Sequence, residues 1–210
     1  MNGFVIAVDG PAASGKGTVA QRLARAYGLP FLDTGLLYRA VGVLAQRAAG
    51  LVDEHSAEAA AFGLDPTVLD DPELRTRAAG ELASQSAVFP GVRAALLDFQ
   101  RAFAAQGSGA VLDGRDIGTV IVPDARAKLF VTASPEVRAE RRWKQLVGQG
   151  ESVDLADILA DIRLRDERDS GRAAAPLVMA DDAVLLDTSN LSIEQAADAA
   201  RRIVETARAR

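Results

Sequence analysis

A three-layer α/β fold around a five-stranded parallel sheet is what this sequence predicts, and three observations carry it. Short β-branched apolar runs alternate with helix-patterned stretches, the order that gives parallel strands covered on both faces. The first run passes through a glycine-bounded loop straight into a helix. Three of the runs are followed at once by an aspartate (Asp9, Asp33, Asp113), which places these carboxylates along the strand ends where such sheets bind ligands.

The elements follow in order. Residues 4–8 form the first strand, ending at Asp9 and the loop Gly10-Pro11-Ala12-Ala13-Ser14-Gly15-Lys16-Gly17-Thr18. Val19, Leu23 and Ala26-Tyr27 then recur at helical spacing, and Gly28 with Pro30 stops that helix. A strand over 30–32 leads to Asp33 or Thr34 as the cap of a helix that carries Tyr38 and Arg39 to about residue 49. Residues 50–80 are less regular, with short helices at 57–62 and 72–84; Pro66 and Pro72 oppose a hairpin between 63 and 75. Pro90-Gly91 precedes a helix over 92–105, whose buried side takes Leu96, Leu97, Phe99 and Phe103.

A third strand, 110–112, ends in Asp113; residues 120–124 are a connection, and 127–131 are the fourth strand. Ser134-Pro135-Glu136 opens a helix bearing Arg138, Arg141, Arg142 and Lys144, broken at Gly148-Gln149-Gly150. Asp154 opens the next, which reaches Asp169 with Arg172 just beyond. The fifth strand is 183–186, and an amphipathic helix over 192–208 turns Ile193, Ala196, Ala197, Ala200, Ile203 and Val204 inward.

Composition narrows the function. The 210 residues fit one domain, and 49% hydrophobic content suffices for its core. A net charge of −5 argues against a nucleic-acid partner. The absence of cysteine excludes disulfides and thiolate metal sites, and His55 is the sole histidine, so catalysis is expected to run without a histidine base. With no 18-residue apolar span and no secretory signal pattern, a cytoplasmic monomer with no membrane partner is expected.

The chemistry starts in the glycine-bounded loop. Gly10 and Gly15 let successive amide N–H groups turn inward on a polyphosphate, and the following helix adds the positive end of its dipole. Lys16 can reach the terminal phosphates, and the Thr18 hydroxyl can ligate Mg²⁺. An apolar strand ending in Asp113 beside such a loop is suited to the water shell of the same ion. Arg39, Arg115, Arg165, Arg168 and Arg172 lie in loops or near helix ends, where cations can bracket two phosphates that repel one another. If the acceptor is itself a phosphate, its oxygen is already anionic and no base is needed. Taken singly, these residues have plainer readings: Tyr38 as a half-buried core aromatic, Arg39 as a solvated charge, Asp116 as a cap of the turn after Arg115.

The combination is more specific. Gly10 to Thr18 with its Gly-Lys-Gly-Thr ending, Asp33-Thr34-Gly-Leu-Leu-Tyr38-Arg39, Asp113-Gly-Arg115-Asp116-Ile-Gly-Thr and Arg165-Asp-Glu-Arg168-Asp169-Ser-Gly-Arg172 together resemble the signature stretches of the bacterial-type cytidylate kinase family. The resemblance runs nearly end to end. It implies a P-loop kinase fold with its core at 1–33, 106–147 and 170–210, a monophosphate-binding insertion at 34–105 and a lid at 148–169. It implies ATP and Mg²⁺ as cofactors, CMP and dCMP as substrates, and CDP and dCDP as products. ATP would rest on Gly10, Pro11, Ala12, Ala13, Ser14, Gly15, Lys16, Gly17 and Thr18, with Thr18 and (through water) Asp113 at the metal. Ser84, Arg93 and Asp116 would read cytosine with Thr34 and Tyr38 nearby, Arg39, Arg115 and Arg172 would hold the acceptor phosphate, and Asp169 with Arg165 the sugar. Lys16, Arg115, Arg168 and Arg172 would serve catalysis. The chain departs from the family in one place: residues 63–75 are too short and too rich in Pro and Asp for the antiparallel strand segment usual in the insertion. Two other readings remain open. A small-acceptor kinase for UMP, AMP or a metabolite hydroxyl is opposed by Arg93 and Asp116, and an ATP-binding switch without turnover by Lys16, Thr18, Asp113 and the lid arginines.

Overall fold

The computed structural model describes residues 3–209; residues 1, 2 and 210 of the expected core lie outside them. Five parallel strands, β1 (Phe4–Asp9), β2 (Phe31–Asp33), β3 (Gly109–Gly114), β4 (Ala127–Thr132) and β5 (Val184–Asp187), form one sheet in the order β2-β3-β1-β4-β5. Each lies within two residues of its sequence-based range. The helices are α1 (Lys16–Tyr27), α2 (Thr34–Ala49), α3 (Glu54–Phe62), α4 (Arg77–Ser86), α5 (Pro90–Ala104), α6 (Pro135–Gly148), α7 (Leu155–Gly171) and α8 (Ile193–Arg208).

Alternation along β1 builds both faces. Ile6 and Val8 pack with Leu23 of α1 and Val204 of α8, while Val5 and Ala7 pack with Leu112 and Ile117 on the opposite side. The register also sets the carboxylates: Asp33 pairs with Asp113, and Asp9 with Gly114. A second apolar cluster unites α2, α3, α4 and α5 through Leu37, Val41, Ala83, Val92 and Leu96. A smaller one joins α6 to α7 through Ala139, Leu146, Ile158 and Ile162.

Three local outcomes differ from the sequence reading. The helix expected over 72–84 divides into a 3₁₀ turn, Pro72–Arg75, and α4, because Thr76 takes an extended conformation and caps α4 with its hydroxyl on the Ala79 N–H. The connection expected at 120–124 is preceded by a π turn, Ile117–Ile121, fixed when Asp9 accepts the Ile117 and Gly118 N–H groups, both at 2.8 Å. Ile193, expected to face inward, is exposed at the start of α8. Between residues 63 and 75 the described chain forms two 3₁₀ turns, Pro66–Asp70 and Pro72–Arg75, and no strand.

Helices α2 and α4 cross at Gly42, where a Cβ would stand 2.7 Å from the Leu82 backbone. Gly42→Ala is therefore expected to destabilise the protein by about 1–3 kcal/mol through overpacking, read as a lower urea midpoint with unchanged m-value.

Candidate active site

The phosphate loop is held by a close backbone approach. Gly10 has φ +150°, and a Cβ there would sit 2.0 Å from the Val131 carbonyl oxygen of β4. Gly15 adopts φ +88°, and Ala13 accepts φ +59° between them, so the turn is strained at a non-glycine position. The loop is braced from outside: the Thr188 hydroxyl donates to the Ser14 carbonyl at 2.8 Å, and Arg138 donates to the Ala12 carbonyl at 3.2 Å. Arg138 is buried and also binds Asp166 of α7 bidentately, at 2.9 and 2.5 Å. Neither brace was singled out by the sequence, because each acts across more than a hundred residues on a backbone oxygen.

Below the loop opens a cavity of about 1480 Å³, lined in part by Lys16, Thr18, Asp33, Arg39, Asp113, Arg115 and Arg165. Lys16 Nζ stands 3.6 Å from Asp113 Oδ1. Burial, reinforced by Arg115, pushes the Lys16 ammonium below its ordinary value. The same two causes bring Arg165 down to about 10, still charged at neutral pH. Burial pushes Asp113 up to about 6, with Lys16 acting against it. Cations crowded into low dielectric at mutual cost mark a place for a polyanion, whose arrival relieves all of them.

Asp113 Oδ1 is buried and has no hydrogen-bond partner among the described residues. A Cβ at Gly17 would stand 3.0 Å from Asp113 Oδ2, so the glycine after Lys16 keeps space open beside that carboxylate. An unspent buried carboxylate with room beside it fits a divalent cation or its water. No group of three or more His, Asp or Glu side chains that could hold a metal occurs among the described residues, so such an ion would draw its remaining ligands from phosphates and water. Thr18 is exposed and lines the cavity.

From Arg115 and Arg165 on the cavity wall, a chain of alternating arginines and aspartates runs through Asp169, Arg172 and Asp116 to Arg93. Arg93 donates to Asp116 and lies over the Tyr38 ring, 5.4 Å from its centroid. Arg172 stands 3.8 Å from Asp116 and 3.9 Å from Asp169. Arg115 Nε donates to Asp169 at 2.8 Å, and Arg165 is 3.9 Å from the same carboxylate. Burial would raise Asp169, but Arg115 and Arg165 outweigh it and hold the group below the usual carboxylate range. The Ser84 hydroxyl, Arg165 Nε and Arg172 Nη2 are buried without a hydrogen-bond partner among the described residues. Leaving such groups dry costs free energy unless something completes them.

Thr34, Arg39 and Arg168 are engaged with other partners. Thr34 donates its hydroxyl to the Asp113 carbonyl at 2.8 Å. Arg39 lines the cavity but donates to the Leu74 and Thr76 carbonyls, at 2.8 and 3.1 Å. Arg168 meets Glu81 of α4 at 2.7 and 3.2 Å.

The family model described as cytidylate kinase matches residues 6–206. The chain belongs to the cytidylate kinase family. It is 71% identical to a cytidylate kinase of Caulobacter vibrioides over 99% of this chain and 98% of that one. It is 67% identical to a cytidylate kinase of Xanthobacter autotrophicus over 98% and 99%. A shikimate kinase structure from Bacteroides thetaiotaomicron aligns with a TM-score of 0.50 at 13% identity, covering 97% of both chains, which bears on the fold alone. A kinase of this family takes ATP as phosphate donor and a small nucleotide as substrate. In the cavity wall the sequence missed Arg141, which donates to Thr188 Oγ1 at 2.9 Å, and Leu191 and Ile193. The exposure of Ile193 follows from that position.

Inorganic tripolyphosphate carries the charge without a base. It is expected to raise the thermal midpoint of the protein, by the equivalent of ~2.7 kcal/mol at a hundredfold excess over Kd, and by much less in Lys16→Met. Equal shifts in both proteins, by scanning fluorimetry, would contradict the phosphate-loop assignment.

Proposed function

We propose that this chain transfers the γ-phosphoryl group of ATP to CMP and dCMP, giving ADP with CDP or dCDP. The observation that carries this reading is a group of buried polar atoms without hydrogen-bond partners: Asp113 Oδ1 and Arg165 Nε belong to residues that line the cavity beside the phosphate loop, Arg172 Nη2 lies across Asp169 from Arg165, and Ser84 Oγ is on α4. The arginine donors await an anionic ligand and the Asp113 oxygen a cation or a hydrogen-bond donor, and family membership names the ligand's class.

In this reading the amides from Gly10 to Thr18 cradle the donor phosphates, and Lys16 neutralises charge where the phosphoryl group leaves. The Thr18 hydroxyl and, through water, Asp113 would hold Mg²⁺, which would supply positive charge against the phosphates. Arg115 and Arg172 exchange part of their bonding to Asp169 and Asp116 for the acceptor phosphate, and Arg39 adds a third cation from the wall. Arg165 and Asp169 face the sugar. The acceptor oxygen is anionic, so positioning and charge neutralisation do the catalysis. Residues 148–169 serve as a lid that brings Arg168 over the transferring group and excludes water, and residues 34–105 as the insertion that receives the monophosphate.

Asp116 supports cytosine over uracil. Its carboxylate, oriented by Arg93, accepts from the C4 amine of cytosine but meets the C4 carbonyl of uracil oxygen to oxygen. Coupled ADP-release assays should give turnover with CMP and dCMP far above UMP and AMP; turnover restricted to UMP or AMP would refute the assignment. Asp116→Asn, whose amide can donate to uracil O4, should lower the CMP-to-UMP ratio of kcat/KM by about tenfold or more. An unchanged ratio would show that Asp116 pairs with Arg93 and Arg172 without reading the base.

A further inference from the structure

Helices α4 and α7 face each other across the crevice, and two ion pairs of opposite polarity join them. Arg77 Nε donates to Asp161 Oδ2 at 3.1 Å, with Nη2 reaching the same oxygen. One turn further along α4, Glu81 accepts both terminal nitrogens of Arg168, at 2.7 and 3.2 Å. Along α4 the order is cation then anion; along α7 it is anion then cation. Only one register satisfies both pairs, and sliding either helix by two turns brings Arg77 toward Arg168.

The residues that share these turns matter more. Ser84, with its buried unpartnered hydroxyl, lies three residues beyond Glu81 on α4, and Gly80 abuts the Arg39 guanidinium, 3.3 Å from where its Cβ would be. On α7, Arg165 lies three residues before Arg168, on the same face, and approaches Asp169 at 3.9 Å. The two pairs therefore tie the segment that would receive the monophosphate to the one that carries cations over the phosphates. All four partners are at least a quarter exposed (Arg77 44%, Asp161 53%, Arg168 26%, Glu81 49%), so each pair is individually weak and able to open and re-form in a catalytic cycle.

We propose that Arg77, Asp161 and Glu81 are positioning residues that couple acceptor binding to closure over the donor, with Glu81 holding Arg168 in reach of the phosphoryl group. The inference rests on the functional reading above. Coupling of this kind is reciprocal: CMP strengthens the binding of an ATP analogue by the same factor as the analogue strengthens CMP.

The test is calorimetric titration of CMP into the full chain, with and without a saturating non-hydrolysable ATP analogue, in wild type, Arg77→Asp, Asp161→Arg and the double reversal. Each single reversal should lower the coupling factor by about fivefold while leaving the affinity for CMP alone within about twofold. The double reversal, which restores an ion pair with its ends exchanged, should return the factor to within about twofold of wild type. A coupling factor unchanged in both single variants, a double variant as weakly coupled as the singles, or independent binding of the two nucleotides in wild type would overturn the proposal. Those results leave the functional reading standing if CMP binds; a wild-type protein that binds no CMP would overturn the functional reading and the clamp with it.

Discussion

Too many cations at the carboxyl end of one parallel sheet is the condition on which the rest of this structure depends. Lys16, Arg115 and Arg165 at the cavity, and Arg172 across Asp169 from them, are drawn out of water, and burial alone would cost each of them heavily. Asp113, Asp116 and Asp169 offset that cost in the free protein, but incompletely: Arg115 donates to Asp169 at 2.8 Å, whereas Lys16, Arg165 and Arg172 reach these carboxylates only at 3.6 to 3.9 Å, and donors remain unspent. The protein thus holds a charge pattern that is tolerable alone and better satisfied by phosphates. A fully paired network would be more stable and would have less to gain from a ligand.

Strand register and glycine geometry make this possible. Parallel pairing sets Asp33 opposite Asp113, and Gly10 brings the phosphate loop against β4 with no room for a side chain. Asp9 is spent differently. Burial pushes it up to about 7, yet its two oxygens accept the Ile117 and Gly118 amides and so fix the π turn that follows Asp116. One aspartate at a strand end is thereby structural, and its neighbour one strand away is left open for a ligand.

Much of this was legible in the sequence because it is local. The strands follow from β-branched runs, the loop from Gly10, Gly15 and Lys16 at fixed spacing, and the helix starts from Asp33, Ser134, Asp154 and Ser192. What the sequence could not show is what a polar side chain meets across the chain. The Asp9 contacts that make a π turn of 117–121, the Arg138 and Thr188 braces, the Arg39 bonds to the 74–76 backbone and the pairing of Arg168 with Glu81 all depend on packing between distant segments. Ile193 was misread for a related reason: it continues the apolar stripe of α8, but that end of the helix lines the cavity rather than the core.

If arginines released from internal carboxylates supply the acceptor affinity, the phosphate of CMP must carry most of it. Hydrogen bonds to charged groups contribute about 1.5–3 kcal/mol each, so two or three of them correspond to at least a hundredfold in affinity. Calorimetric comparison of CMP with cytidine, which keeps the base and sugar but lacks the phosphate, measures this directly. The account predicts that cytidine binds at least about a hundredfold more weakly than CMP; binding of the two within a few-fold of one another would contradict it.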